Sequence, residues 1–112
     1  QKLGRPGDAI EGLERAYANQ PEEARIAERL AELYEANEEH RRLADLLVQR
    51  SQYVREEGER FQLLCRVGSL FLGPADDVHA AIPPLEEAVR LNAEDHTALL
   101  MLADAYMATE RF

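Results

Sequence analysis

The stretch AERLAELYEA, residues 27–36, sets Ala27, Leu30, Ala31 and Tyr34 on one face of a helix, since residues three, four and seven apart stack at about 3.6 residues per turn. Glu28, Arg29, Glu32 and Glu35 fall between them, as on a solvated helix surface. The same spacing returns as Leu64, Val67, Gly68 and Phe71, and again as Leu99, Leu102, Ala103 and Tyr106, at intervals of 37 and 35 residues. A second pattern alternates with the first: Ala9, Leu13, Ala16, then Ala44, Val48, Ser51, then Ala81, Leu85, Ala88, at intervals of 35 and 37. A fixed period of this length marks a repeat in which each unit buries its apolar face only against its neighbours.

Tyr34 to Ala44 and Phe71 to Ala81 both span ten residues, so the connection inside each pair has constant length. The other connection varies, and its two extra residues fall near REEGER, where Gly58 is expected to end a helix. Helix breaks and restarts are marked by NQPEEA around Pro21 and LNAEDH around Asn92, with Glu22, Glu23, Glu94 and Asp95 in first turns, where the helix dipole favours anions. There is no period-two run and no Asn-Gly hairpin turn. The chain is expected to be all-α, with six helices at about 8–18, 23–36, 39–57, 60–72, 78–91 and 95–108. Small residues at 16, 31, 51, 68, 88 and 103 are expected at close approaches between layers.

On these residues the chain resembles the tetratricopeptide repeat. AERLAELY and LMLADAY match that family's first helix, and AIEGLERAYANQP and AIPPLEEAVRLNAED match its second. The resemblance spans nearly all of residues 1–112 and implies one domain, a right-handed superhelical solenoid of about three stacked antiparallel helical hairpins. Three departures stand out: Trp is absent, the closing Pro present at Pro21 becomes Ala93 later, and the middle pair is lengthened by two residues. Pro83 and Pro84 fall inside an expected helix, which should begin late, near Ile82, or kink where the amide donor is lost. A period of 35 also suits the pentatricopeptide repeat, an RNA reader, but that family lines its groove with basic residues.

Charge speaks against that alternative. Thirteen Lys and Arg face twenty-two Asp and Glu, for a net charge of -9, so the protein's own field opposes a nonspecific grip on nucleic acid or on an anionic membrane. No apolar run approaches the roughly 20 residues of a membrane span. The single cysteine, Cys65, excludes an internal disulfide and leaves the compartment undetermined. The 112 residues, 46% hydrophobic, make one domain's worth of core.

The residues that carry chemistry are dispersed. His40, His79 and His96 lie in or beside separate inter-helix turns without ligand-spaced companions, and EEH at 38–40 and DDVH at 76–79 read as solvated turns rather than metal sites. The carboxylate pairs Glu22–Glu23, Glu38–Glu39 and Glu86–Glu87 read as helix-surface charges, whereas acid–base catalysis needs two carboxylates in different environments within a cleft. Cys65 sits among apolar residues with no histidine nearby in sequence, which suits a packed or groove-lining side chain. GRPG at 4–7 lacks the spacing of a phosphate loop. Neither an enzyme activity nor a cofactor or metal is expected; a helical enzyme using Glu or Cys65 is the least supported alternative.

The resemblance implies a concave groove lined by first helices. Carried onto this chain, the groove positions are Arg25, Glu28 and Glu32, then Gln62, Cys65, Arg66 and Ser69, then Thr97, Leu100, Met101 and Asp104. The Lys and Asn of the family's carboxylate clamp are missing from this set, so that specificity is not carried over. The expected function is a protein-interaction scaffold that holds a peptide or helix of a partner in this groove. The alternative is an oligomerisation or regulatory arm of a larger protein. The chain lacks an initiator Met, QKLGRPGD resembles the tail of a first helix, and Phe112 matches the opening of a second, so a fragment of a longer array is expected. An uncovered last helix would expose Leu99, Leu102, Tyr106 and Met107, a face on which a homodimer could form.

Overall fold

A computed structural model describes residues 6–109; expectations resting on residues 1–5 and on Phe112 lie outside the described residues. Its six helices are α1 (Pro6–Asn19), α2 (Ala24–Ala36), α3 (His40–Ser51), α4 (Glu57–Leu72), α5 (Val78–Leu91) and α6 (His96–Thr109), and there is no strand among the described residues. The all-α expectation is met. Each helix packs against the next along the chain, and α4 also touches α6. The result is elongated, 57 × 30 × 19 Å.

The helix ends follow from local chemistry. Proline at the first position of α1 gives up an amide that would lack a partner there. α2 closes with Glu38 at φ 57°, in the left-handed region, which lets the Glu38 amide reach Glu35 O at 3.1 Å and the Glu39 amide reach Tyr34 O at 2.9 Å. The carboxylates of Asp77 and Asp95 accept the Ala80 and Ala98 amides, each at 3.1 Å, and so start α5 and α6. The constant ten-residue spacing inside each pair is realised in two ways: residues 37–39 link α2 to α3, whereas residues 73–77, with Asp76 at φ 53°, link α4 to α5.

Two boundaries differ from the sequence reading. α3 stops at Ser51, not at 57, and Gly58 lies in the first turn of α4 instead of ending α3. The cause is Glu56, whose carboxylate accepts the Glu59 amide at 2.7 Å and starts a new helix one residue later. Arg60 fixes the intervening loop by donating from Nε and Nη2 to Val54 O, both at 3.3 Å. α5 keeps its expected bounds of 78–91, without the late start near Ile82 that the prolines suggested, and carries both prolines inside it. The Asp77 cap sets its start, and the helix runs on although the His79 and Ala80 carbonyls have no amide donor four residues ahead.

The core runs through all six helices. Ile10 and Tyr17 of α1, Ala27, Leu30 and Tyr34 of α2, and Leu43, Ala44, Leu46 and Leu47 of α3 join Val67, Phe71, Ala81, Leu85 and Ala105 in one buried cluster, while Leu64, Ala88 and Ala98 form a second. The first pattern is buried at Leu64, Val67, Gly68 and Phe71, and also at Ala27, Leu30 and Tyr34. In α6 it is not: Leu99, Ala103 and Tyr106 are exposed, and Ala98 and Ala105 are the buried residues. Ala103 is therefore not at a close approach between layers, and Leu102, the fourth residue of the pattern, is half-buried against the main cluster. α4 is covered on one side by α3 and on the other by α5, but nothing follows α6 among the described residues, so only its face toward α4 and α5 is covered.

Candidate interaction cleft

α2 and α4 are separated by a cleft of about 540 Å³ whose lower wall is α3. Its floor is apolar, made by Ala24, Ala27 and Ala31 of α2, Leu47 of α3, Val54 of the following loop and Leu63 of α4. The small α2 residues open the space: at each of these positions a longer side chain would fill it. Glu28, Glu32 and Glu35 from α2 and Glu59 from α4 form the rim, together with Arg50 and Arg66. A shallower hollow continues along α4 past Glu56, Gln62 and Arg66.

The two cations are already engaged. Arg66 Nη2 donates to Glu35 Oε1 at 2.8 Å, bridging α4 to α2 across the cleft mouth. Arg50 donates to the Pro21 carbonyl at 3.2 Å and lies over the Tyr53 ring, 5.9 Å from its centroid. Glu32 pairs with Arg29 on its own helix at 3.2 Å. Glu28 and the Glu59 carboxylate face solvent and take part in no ion pair or side-chain hydrogen bond among the described residues.

Of the eleven groove positions, Glu28, Glu32 and Arg66 meet in this cleft, and Gln62 lies in the adjoining hollow. Arg25 is turned to the α1 side, where its Nε reaches Glu23 at 3.2 Å beside Leu13, Gln20 and Ile26. Cys65 packs with Phe61, Leu64, Val89 and Leu91 toward α5 and α6; burial pushes its thiol pKa up, and the nearby Asp95 charge adds to this. Ser69, Thr97, Leu100 and Asp104 are exposed outside the cleft, and Met101 packs against the core. Of the expected groove positions, Glu28, Glu32 and Arg66 thus line one cleft, and none of the α6 positions lines it.

Several cleft residues were not anticipated. Arg50 and Val54 come from the end of α3 and the lengthened loop, which no first-helix pattern reaches, and Glu59 lies on α4 only because that helix starts at Glu57; Leu63 falls inside the expected helix but outside the expected groove positions. The signal available in the sequence was the two-residue insertion itself, which marks the place where α4 departs from α2.

Elsewhere the polar contacts are structural. Tyr34, buried, donates its hydroxyl to Glu14 at 2.5 Å, and Arg42 approaches the same carboxylate at 3.7 Å, so one group ties α1, α2 and α3 together. Burial first, and the Glu14 hydrogen bond second, raise the Tyr34 pKa far above its ordinary value. Among the described residues no group of three or more His, Cys, Asp or Glu is placed to hold a metal ion, and no helix is long and apolar enough to cross a membrane. No protein-family model matches the chain, and no curated protein matches its sequence.

Proposed function

We propose that this chain is a protein-interaction module of the tetratricopeptide type, a right-handed stack of helical hairpins that binds a segment of a partner protein between α2 and α4. The observation that carries the reading is the cleft itself: an apolar floor with a charged rim, built from the faces of two helices that bear the same repeat pattern. Its volume lies within the roughly 300–1,000 Å³ common for binding pockets. The sequential packing of six helices in an elongated body supports the repeat architecture. No catalytic role is assigned to any residue, and no cofactor is invoked.

The test is selection of a displayed random peptide library on the chain, followed by rebinding to an Ala31→Arg variant whose side chain fills the cleft. Enriched peptides are expected to lose at least about tenfold in affinity on this variant, the loss typical when a contact region is blocked. Peptides that bind wild type and variant alike would place the function elsewhere.

A second reading, a self-association arm, is favoured by the surface of α6. Leu99 (40% exposed), Leu100 (64%), Tyr106 (41%) and Met107 (66%) lie on one helix in which Asp104 is the sole Asp, Glu, Lys or Arg. A helix apolar on most sides is ordinarily covered. Light scattering over a dilution series is expected to show mass rising with concentration, and Leu99→Glu with Met107→Glu to hold the chain monomeric with unchanged circular dichroism. A monomer at all concentrations would remove this reading.

A further inference from the structure

We infer that the α2–α4 cleft selects a cationic partner segment, one presenting Lys or Arg beside an apolar side chain; this rests on the reading of the cleft as the binding site. The floor of Ala27, Ala31, Leu47 and Leu63 takes apolar atoms, including the methylene stem of a lysine or arginine. The head of such a side chain then reaches the rim, where the carboxylates left free are Glu28 on one wall and Glu59 on the other. Of the two rim cations, Arg66 is neutralised by Glu35, while Arg50 is held by the Pro21 carbonyl and the Tyr53 ring; with four carboxylates against two guanidinium groups the rim is net negative, so it favours a basic segment over an acidic one. The net charge of -9 acts in the same direction, drawing cationic chains toward the protein and repelling anionic ones.

The probe is a fluorescein-labelled amphipathic peptide of Leu, Ala and Lys, compared with the same peptide carrying Glu at every Lys, each titrated against the whole chain. Anisotropy gives the affinity, and amide chemical shifts report whether Ala31 and Leu63 respond. Two variants remove the same amount of charge: Glu28→Gln with Glu59→Gln inside the cleft, and Glu11→Gln with Glu94→Gln on exposed surface away from it. The lysine peptide is expected to bind and to shift the cleft amides. The cleft variant should weaken it about five- to tenfold and the surface variant less than about twofold, as partly desolvated pairs exceed distant screened charges. Equal weakening by both variants would reduce the effect to the overall field and overturn the inference. Stronger binding of the glutamate peptide with shifts at Ala31 and Leu63 would overturn the charge preference while leaving the cleft as a binding site. Silence of these amides toward both peptides, with library-selected peptides still sensitive to Ala31→Arg, would also overturn the inference alone; if those peptides too ignored Ala31→Arg, the cleft reading would fall with it.

Discussion

Gly68→Ala is expected to destabilise the protein by about 1–2 kcal/mol, although alanine in a helix interior normally gains up to about 1 kcal/mol over glycine. A Cβ at Gly68 would lie 2.6 Å from Leu85 Cγ and 3.1 Å from its Cδ1, and Leu85 is fully buried in α5. The helices α4 and α5 must separate, or Leu85 must leave its rotamer. Leu85→Ala alone should cost about 3 kcal/mol through lost burial and the cavity left behind. The two changes act on the same space, so the double variant should be more stable than the sum of the single effects by about 1 kcal/mol or more. Urea midpoints of the four proteins measure this. Additive losses would mean that α4 and α5 do not meet at Gly68.

Phe71→Ala should have a still larger effect, a loss of about 3–5 kcal/mol. Phe71 is 2% exposed and belongs to the main cluster, on the helix that packs against α3, α5 and α6. Its ring also supports the Arg41 guanidinium, 5.3 Å from the centroid, and from there Arg41 reaches Asp77, the cap of α5, at 3.0 Å. Removing the ring therefore loosens α3, α4 and α5 together. Phe71→Leu, which keeps most of the apolar volume, should cost less than about 1.5 kcal/mol. Arg41→Ala should cost under about 1 kcal/mol, because Arg41 is largely exposed and its pairs are solvated. Thermal melts should rank the three variants in that order; an Arg41 effect as large as that of Phe71→Ala would show the ion pairs, not the ring, to be what holds α5 in place.

The free carboxylates of Glu28 and Glu59 and the bare outer face of α6 are both surfaces where the fold leaves something uncompleted, and they differ in kind. At the cleft small alanines of α2 face α4 across a concave site with its own charged rim. On α6 the exposed Leu99, Leu100, Tyr106 and Met107 make an apolar surface, with the Tyr106 hydroxyl donating to Glu86 at 2.5 Å. A concave apolar floor with a charged rim suits a partner's side chains, whereas an apolar strip on a helix suits another helix.

The sequence by itself determined that the chain is six helices and where most of them begin and end. Hydrophobic period and capping residues act within one or two turns, and that information is local. It also carried the exposure of Leu99, Tyr106 and Met107, but not the half-burial of Leu102, which was expected on the same uncovered face and packs against the main cluster. What it could not carry was which face of α6 would be buried: the repeat spacing marks Leu99, Leu102, Ala103 and Tyr106, but in a helix apolar nearly all round other faces can serve as well, and Ala98 and Ala105 are the residues buried. The early stop of α3 depended on a Glu56 carboxylate reaching the Glu59 amide, a contest between two helix signals that composition leaves balanced. Of the cleft, the sequence pointed to Glu28, Glu32 and Arg66, but only the tertiary structure brought the walls from α2 and α4 together with Leu47, Arg50 and Val54 from α3 and the loop after it. Periodicity names the face of each helix, but only the packed neighbours decide whether that face closes on a core or opens as a site.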